Sequence, residues 1–156
     1  MNIELTSFKD LVEALKGNLT GHSAVITVDG VEDAGQEELA EKLGNLFKCE
    51  QMHIGGKPDA AKLKADIAAK RKQTSIIVSG IMLRKIMAAA GIDPDVSVYV
   101  IPAPGNSRRG FWEGILSKPL ELYLSQLSSD LDKKTVEYHH QFHPIIHADF
   151  LVEGEE

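Results

Sequence analysis

The chain has 156 residues, 43% of them apolar and 26% charged, a balance that fits one globular domain spanning residues 1–156 with a sizeable core. A net charge of −6 argues against a general nucleic-acid binder, and no apolar run is long enough to span a membrane, so neither is expected as a partner. Cys49 is the only cysteine, which excludes an internal disulfide; with an N-terminal run that reads as neither signal nor transit peptide, the expectation is a cytoplasmic protein.

Thr6 or Ser7 can cap a first helix in which Phe8, Leu11, Val12 and Leu15 share a stripe, with Gly17 as its stop. The run 24-AVITVD-29 is short, apolar and β-branched, and predicts a buried strand ending at Gly30. A helix follows from about Gln36, turning Leu39, Leu43, Leu46 and Phe47 toward the core. A weaker strand is expected from Cys49 to Ile54, then a break at Gly55, Gly56 and Pro58. The segment 59-DAAKLKADIAAKRKQ-73 predicts a helix with a solvated basic face.

A second strong strand is 75-SIIVSG-80, followed by a helix from about Ile81 to Ala90. The third, 96-VSVYVI-101, leads into the loop 102-PAPGNSRRG-110. Helical pattern resumes from about Phe111 to Leu131, broken near Pro119, and again from Lys133 to Phe142. Pro144 ends it, 147-HADFLVE-153 predicts a last strand, and the terminal GEE is expected to fray. Strands alternate with helices, and the central strands are continuously apolar. That pattern predicts an α/β domain whose mostly parallel sheet is covered on both faces.

The first strand runs into 30-GVEDAG-35, two glycines five apart that open a helix. This is the spacing and context of a phosphate-binding loop. The run 25-VITVDGVEDAGQEELAEKL-43 resembles the start of the uridine kinase family of P-loop kinases, through Asp29, Gly30, Val31, Ala34, Gly35, Leu39, Ala40 and Leu43. The ending 138-YHHQFHPIIHADFLVEG-154 is similar to that family's ending, with Pro144, Ala148 and Asp149 in matching positions. Arg108 and Arg109 stand where such kinases carry lid arginines. The resemblance implies a three-layer P-loop fold with a five-stranded sheet in the order 2-3-1-4-5.

The departures lie where the resemblance would place the chemistry. Gln36 replaces the lysine that reaches the β- and γ-phosphates, and Glu37 replaces the hydroxyl that holds Mg²⁺. Ser79 stands where an acid is usual at the end of the third strand, and only Asp59 lies near the acceptor side. From Asp29 to Glu38 the chain carries five acids and no base. Such a loop repels phosphate, and Glu37 and Glu38 are expected to satisfy the helix N-terminus from within. The cofactor-binding set Gly30, Gly35, Gln36, Glu37, Arg108 and Arg109 is therefore read as a degenerate phosphate loop and lid, with no cofactor and no catalytic residue.

Two functions of different class follow. One is a non-catalytic binding or regulatory module, partnered by an unidentified protein or by self-association. The other is an active small-molecule kinase that uses Mg-ATP and a displaced lysine such as Lys57. His139, His143 and His147 are spaced four apart with His140 adjoining, a pattern that binds metal on an unbroken helix. Pro144 is expected to interrupt that face, so no metal site is assigned. No Ser-His-Asp or Cys-His arrangement emerges from spacing.

Overall fold

The computed structural model describes residues 4–19, 23–55 and 57–155. Its elements, in chain order, are α1 (Phe8–Leu19), β1 (Val25–Gly30), α2 (Gln36–Phe47), β2 (Glu50–Ile54), α3 (Ala60–Lys70), β3 (Ile76–Gly80), α4 (Leu83–Ala89), β4 (Val96–Ile101), α5 (Arg109–Ser117), α6 (Leu120–Gln126), α7 (Asp130–Phe142) and β5 (Phe150–Glu153). The five strands form one sheet in the order β2-β3-β1-β4-β5, and every pairing is parallel. This is the expected three-layer P-loop NTPase-like arrangement.

The hydrophobic pattern explains the order. Every residue of β1 and β3 is buried, as both strands lie inside the sheet with helices above and below. The edge strands β2 and β5 are only partly covered, and their sequences are correspondingly more polar. Alternation along the strands divides the core between the faces. Val25, Ile76 and Val78 pack with Leu63 and Ile67 of α3 and Leu83 and Met87 of α4. Ile26, Val28 and Ile77 join Leu11 and Leu15 of α1 and Leu39 and Leu43 of α2 in the larger cluster. Among the described residues, no helix is long and apolar enough to cross a membrane.

Several boundaries differ from those expected. Ser7 does cap α1, its Oγ accepting from the Asp10 amide at 3.1 Å, but the helix runs through Gly17 to Leu19. A mid-helix glycine costs only about 0.5–1 kcal/mol, and the packing of Leu19 on the core offsets it. The helical stretch after Phe111 divides near Pro119 as expected, but α7 starts at Asp130 rather than Lys133. Ser129 caps it by accepting from the Asp132 amide, and Asp130 and Asp132 occupy its first turn. The last strand begins at Phe150, because 144–147 turn and the Asp149 carboxylate instead accepts from the Ser97 amide at 2.8 Å. Of the break residues 55–58, Gly56 lies outside the described residues.

The ending does not fray through Gly154. Its amide donates to the Ile101 carbonyl at 2.8 Å, and a Cβ there would sit 2.2 Å from the Ala34 carbonyl oxygen. The C-terminal segment is thus packed directly on the loop between β1 and α2. Gly35, on the other side of that contact, has φ +109°, a left-handed conformation that side chains resist. We expect Gly35→Ala to lower the melting temperature by roughly 2–8 °C, from a conformational cost of about 1–2 kcal/mol. An unchanged melting curve would show that the loop relaxes to another conformation at no cost.

Candidate functional site

The loop 31–35 leaves the C-terminal end of β1, the central strand, and delivers the chain to the N-terminus of α2. Gly30 is required by close approach: a Cβ would stand 3.0 Å from the Val100 carbonyl oxygen and 3.4 Å from Gln36 Nε2. Asp33 adopts left-handed geometry at φ 60°, and its carbonyl accepts from Asn106 Nδ2 at 2.9 Å, which ties the loop to the segment after β4. The backbone therefore makes a tight, glycine-bounded turn between the central strand and a helix.

The side chains of the turn divide between the interior and the surface. Gln36 is 4% exposed, and its Nε2 donates to the Val31 carbonyl at 2.9 Å and the Gly80 carbonyl at 3.2 Å. It crosslinks the loop to the end of β3 from inside. Glu37 and Glu38 are exposed at the start of α2, whose N-cap Gly35 makes no side-chain capping bond. The expectation that these carboxylates occupy the loop amides is therefore not met by their hydrogen bonding. They extend outward, and what remains is their interaction with the helix dipole, about 0.3–1 kcal/mol each.

Glu37 reaches sideways instead, with Oε2 3.7 Å from Nε2 of His53 at the end of β2. His53 Nδ1 lies 3.0 Å from the Ser79 hydroxyl at the end of β3. The three residues come from three elements, and their spacing in the chain gave no hint of this. Ser79 is 2% exposed, so its hydroxyl orients the imidazole rather than meeting a substrate. Asp59 is taken up as the N-cap of α3, accepting from the amides of Ala61 and Lys62. Lys57 is exposed on the connection between β2 and α3.

The two arginines after β4 are both engaged. Arg108 donates to Asp132 Oδ1 at 2.6 Å and stacks its guanidinium 4.2 Å from the centre of the Phe111 ring. Arg109 donates to Glu113 at 3.0 Å and to the Pro102 carbonyl at 2.8 Å, with Glu153 3.7 Å away. Trp112, which follows them, is a core residue.

Beneath the loop lies a buried polar network absent from the sequence reading. The Asp29 carboxylate, at the end of β1, accepts from the Tyr138 hydroxyl at 2.5 Å, the Gly30 amide at 2.9 Å and the Leu83 amide at 3.4 Å. The Tyr138 hydroxyl in turn accepts from the Arg84 amide at 3.0 Å. Burial raises the Asp29 carboxyl to about 6, against the lowering effect of those hydrogen bonds and of Arg84. Next to Tyr138, His139 is also buried. Its Nδ1 faces the Thr135 carbonyl at 2.7 Å and so carries the proton, leaving Nε2 to accept from the Tyr99 hydroxyl at 2.6 Å. Burial lowers this imidazole to about 4.

Both His139 nitrogens are thus occupied, while His143 caps the end of α7 in left-handed geometry. Pro144 follows outside the helix, as expected. Among the described residues, no three His, Cys, Asp or Glu side chains converge as metal ligands.

No protein-family model and no curated protein matches the chain. The fold does have solved counterparts. The structure of a possible uridine kinase from Bacillus stearothermophilus superposes with a TM-score of 0.56 at 14% identity, covering 93% of this chain and 96% of that one. Shikimate kinase from Acinetobacter baumannii, in complex with shikimate, matches more loosely, with a TM-score of 0.43 at 11% identity over 93% of this chain and 88% of that one. At such identities the likeness is one of fold alone, shared with the possible uridine kinase structure over most of the chain.

The two buried groups titrate in opposite senses. Asp29 contributes stability that is present below its unfolded value of 3.8 and lost as pH rises through about 6. His139 contributes stability that is present above its unfolded value of 6.5 and lost as pH falls through about 4. Each effect reaches about 3 kcal/mol. We expect the destabilisation caused by His139→Asn to shrink as pH falls from 6.5 to 4, while that caused by Asp29→Asn grows between pH 6 and 4. Urea unfolding of both variants and the parent across this range is the measurement; parallel pH profiles would refute the assignment.

Proposed function

We propose that this chain is a uridine kinase-like P-loop domain whose nucleotide site has been dismantled, and that it works as a non-catalytic binding or regulatory module. The observation that carries the reading is the buried Gln36 amide. The position that would present a cation to phosphates is filled by a neutral group turned inward to the Val31 and Gly80 carbonyls. Around it the loop exposes Glu32, Asp33, Glu37 and Glu38. An incoming triphosphate would meet these carboxylates without a lysine, and without the hydroxyl that holds Mg²⁺. Arg108 and Arg109, the residues placed to act as a lid, are held by Asp132, Glu113 and the Pro102 carbonyl.

The expected consequence is no detectable Mg·ATP binding at sub-millimolar concentration, and neither ATP hydrolysis nor nucleoside phosphorylation. A charge-assisted contact is worth about 1.5–3 kcal/mol, so loss of the lysine alone weakens binding by roughly ten- to over a hundredfold. The double variant Gln36→Lys/Glu37→Thr should recover part of the triphosphate affinity, because the glycine backbone path is retained. It should not recover phosphoryl transfer, because Ser79 supplies no acid on the acceptor side. Isothermal titration of parent and double variant with Mg·ATP tests this. Micromolar binding by the parent would favour an active small-molecule kinase using a displaced lysine such as Lys57.

A further inference from the structure

Charge is divided unevenly along the chain. Residues 57–85 carry eight lysines and arginines against two acids, whereas the rest of the chain carries nine against twenty-one. The basic stretch supplies α3 and α4, which pack on one face of the sheet through Leu63, Ile67, Leu83 and Met87. On the outside of that layer Lys57, Lys62, Lys64, Lys72 and Lys85 are exposed, and none enters an ion pair among the described residues. Of the two acids, Asp59 is taken up in capping α3 and Asp66 is half-buried. The layer is a one-signed surface without internal counter-charge.

The floor between those lysines is small and apolar. Ala61, Ala65 and Ala68 recur at four and three residues, so they share one line along α3, with Lys62 and Lys64 to either side. Ala88 and Ala89 are exposed on α4. A face of alanines lets another helix approach closely, while the long side chains stay at the rim. The opposite layer of the molecule carries the complement. On the outward side of α2, Glu38 and Glu41 are exposed and enter no ion pair among the described residues, and Leu46 is 54% exposed. Lys42 of this helix is paired with Glu155, and Lys48 is its C-cap, at the far end from Glu38. An apolar centre with a charged rim is the anatomy of a protein interface.

We infer that the α3–α4 face docks on the outward face of α2 in a second copy of this chain, its lysines on Glu38 and Glu41 and its alanines against Leu46. The two faces lie on opposite sides of the sheet, since Leu39 and Leu43 anchor α2 in the other core. One pair of copies therefore satisfies a single contact and leaves a free face at each end. Such a head-to-tail contact is heterologous, and further copies add to it. The inference goes beyond the dismantled-site reading and does not depend on it, because neither face includes Gln36.

The test is analytical ultracentrifugation of the full chain over a concentration series in low-salt buffer. The weight-average mass is expected to rise past that of a dimer, and to fall to the monomer at about 1 M NaCl, where charges are screened over about 3 Å. Lys62→Glu/Lys64→Glu and Glu38→Lys/Glu41→Lys alter only exposed side chains, and each alone should weaken association by about tenfold or more. Mixed in equal amounts, the two variants should associate again to within about threefold of the parent, because every acidic face then meets a basic one. They shift the parent's net charge of −6 to −10 and −2, so both stay negative and attraction of net charge does not bring them together. Lys118→Glu/Lys134→Glu also reaches −10, from exposed positions on neither face, and should weaken association by less than roughly twofold. A monomer at every concentration, a plateau at the dimer, equal weakening by the control pair, or no association in the mixture would each overturn the inference. Mg·ATP is titrated separately, so the failure of either reading is visible without the other.

Discussion

The hydrogen bond between the Tyr138 hydroxyl and the Asp29 carboxylate holds the C-terminal end of the central strand in one arrangement. Asp29 ends the central strand, where no solvent reaches it, and an isolated carboxylate there would cost several kcal/mol. It is kept by donors from three places: its own neighbour Gly30, the start of α4 through Leu83, and α7 through Tyr138. Charge-assisted bonds of this kind are among the stronger ones available to a protein. Because Tyr138 also accepts from the Arg84 amide, the one carboxylate fixes how α4 and α7 meet the end of β1. The loop that leaves β1 at Gly30 starts from that fixed point.

Above it, shape and charge have separated. The backbone makes a glycine-bounded turn opening a helix whose N-terminus carries about half a positive charge. Four outward carboxylates outweigh that half charge, and the side chain that would restore the balance is a neutral amide turned into the protein. Gln36 suits this inward position better than a lysine would. Its planar amide reaches two carbonyls at once, whereas a buried ammonium would have to leave water with no carboxylate among those two partners.

The sheet was largely legible from sequence because β1, β3 and β4 are mostly apolar, β-branched runs between clear breaks, as strands buried on both faces tend to be. The resemblance supplied their order. Boundaries were harder wherever local preference yielded to packing, as at Gly17, or wherever a cap lay upstream of the apolar pattern, as at Ser129. The candidate site was legible only in its residue types. That Gln36 and Glu37 depart from the pattern the loop resembles can be read directly. Where their side chains go cannot, because the partners of Gln36 include a carbonyl 44 residues away and Asp29 meets Tyr138 across 109 residues. His53, Ser79 and Glu37 meet only because β2 and β3 are neighbours in the sheet, paired in register at His53 and Ser79. The capping role expected of Glu37 and Glu38 is not seen: both are exposed, and Glu37 lies toward His53 instead.

The loop is held from every side before any ligand arrives. Gln36 ties it to β3 from within, Asn106 holds the Asp33 carbonyl from the β4 side, and Gly154 packs on Ala34 from the end of β5. A loop that closes on its ligand must lose conformational entropy on binding, which subtracts from affinity. Here that ordering is already complete, and it was achieved with hydrogen bonds internal to the chain rather than with contacts to phosphate.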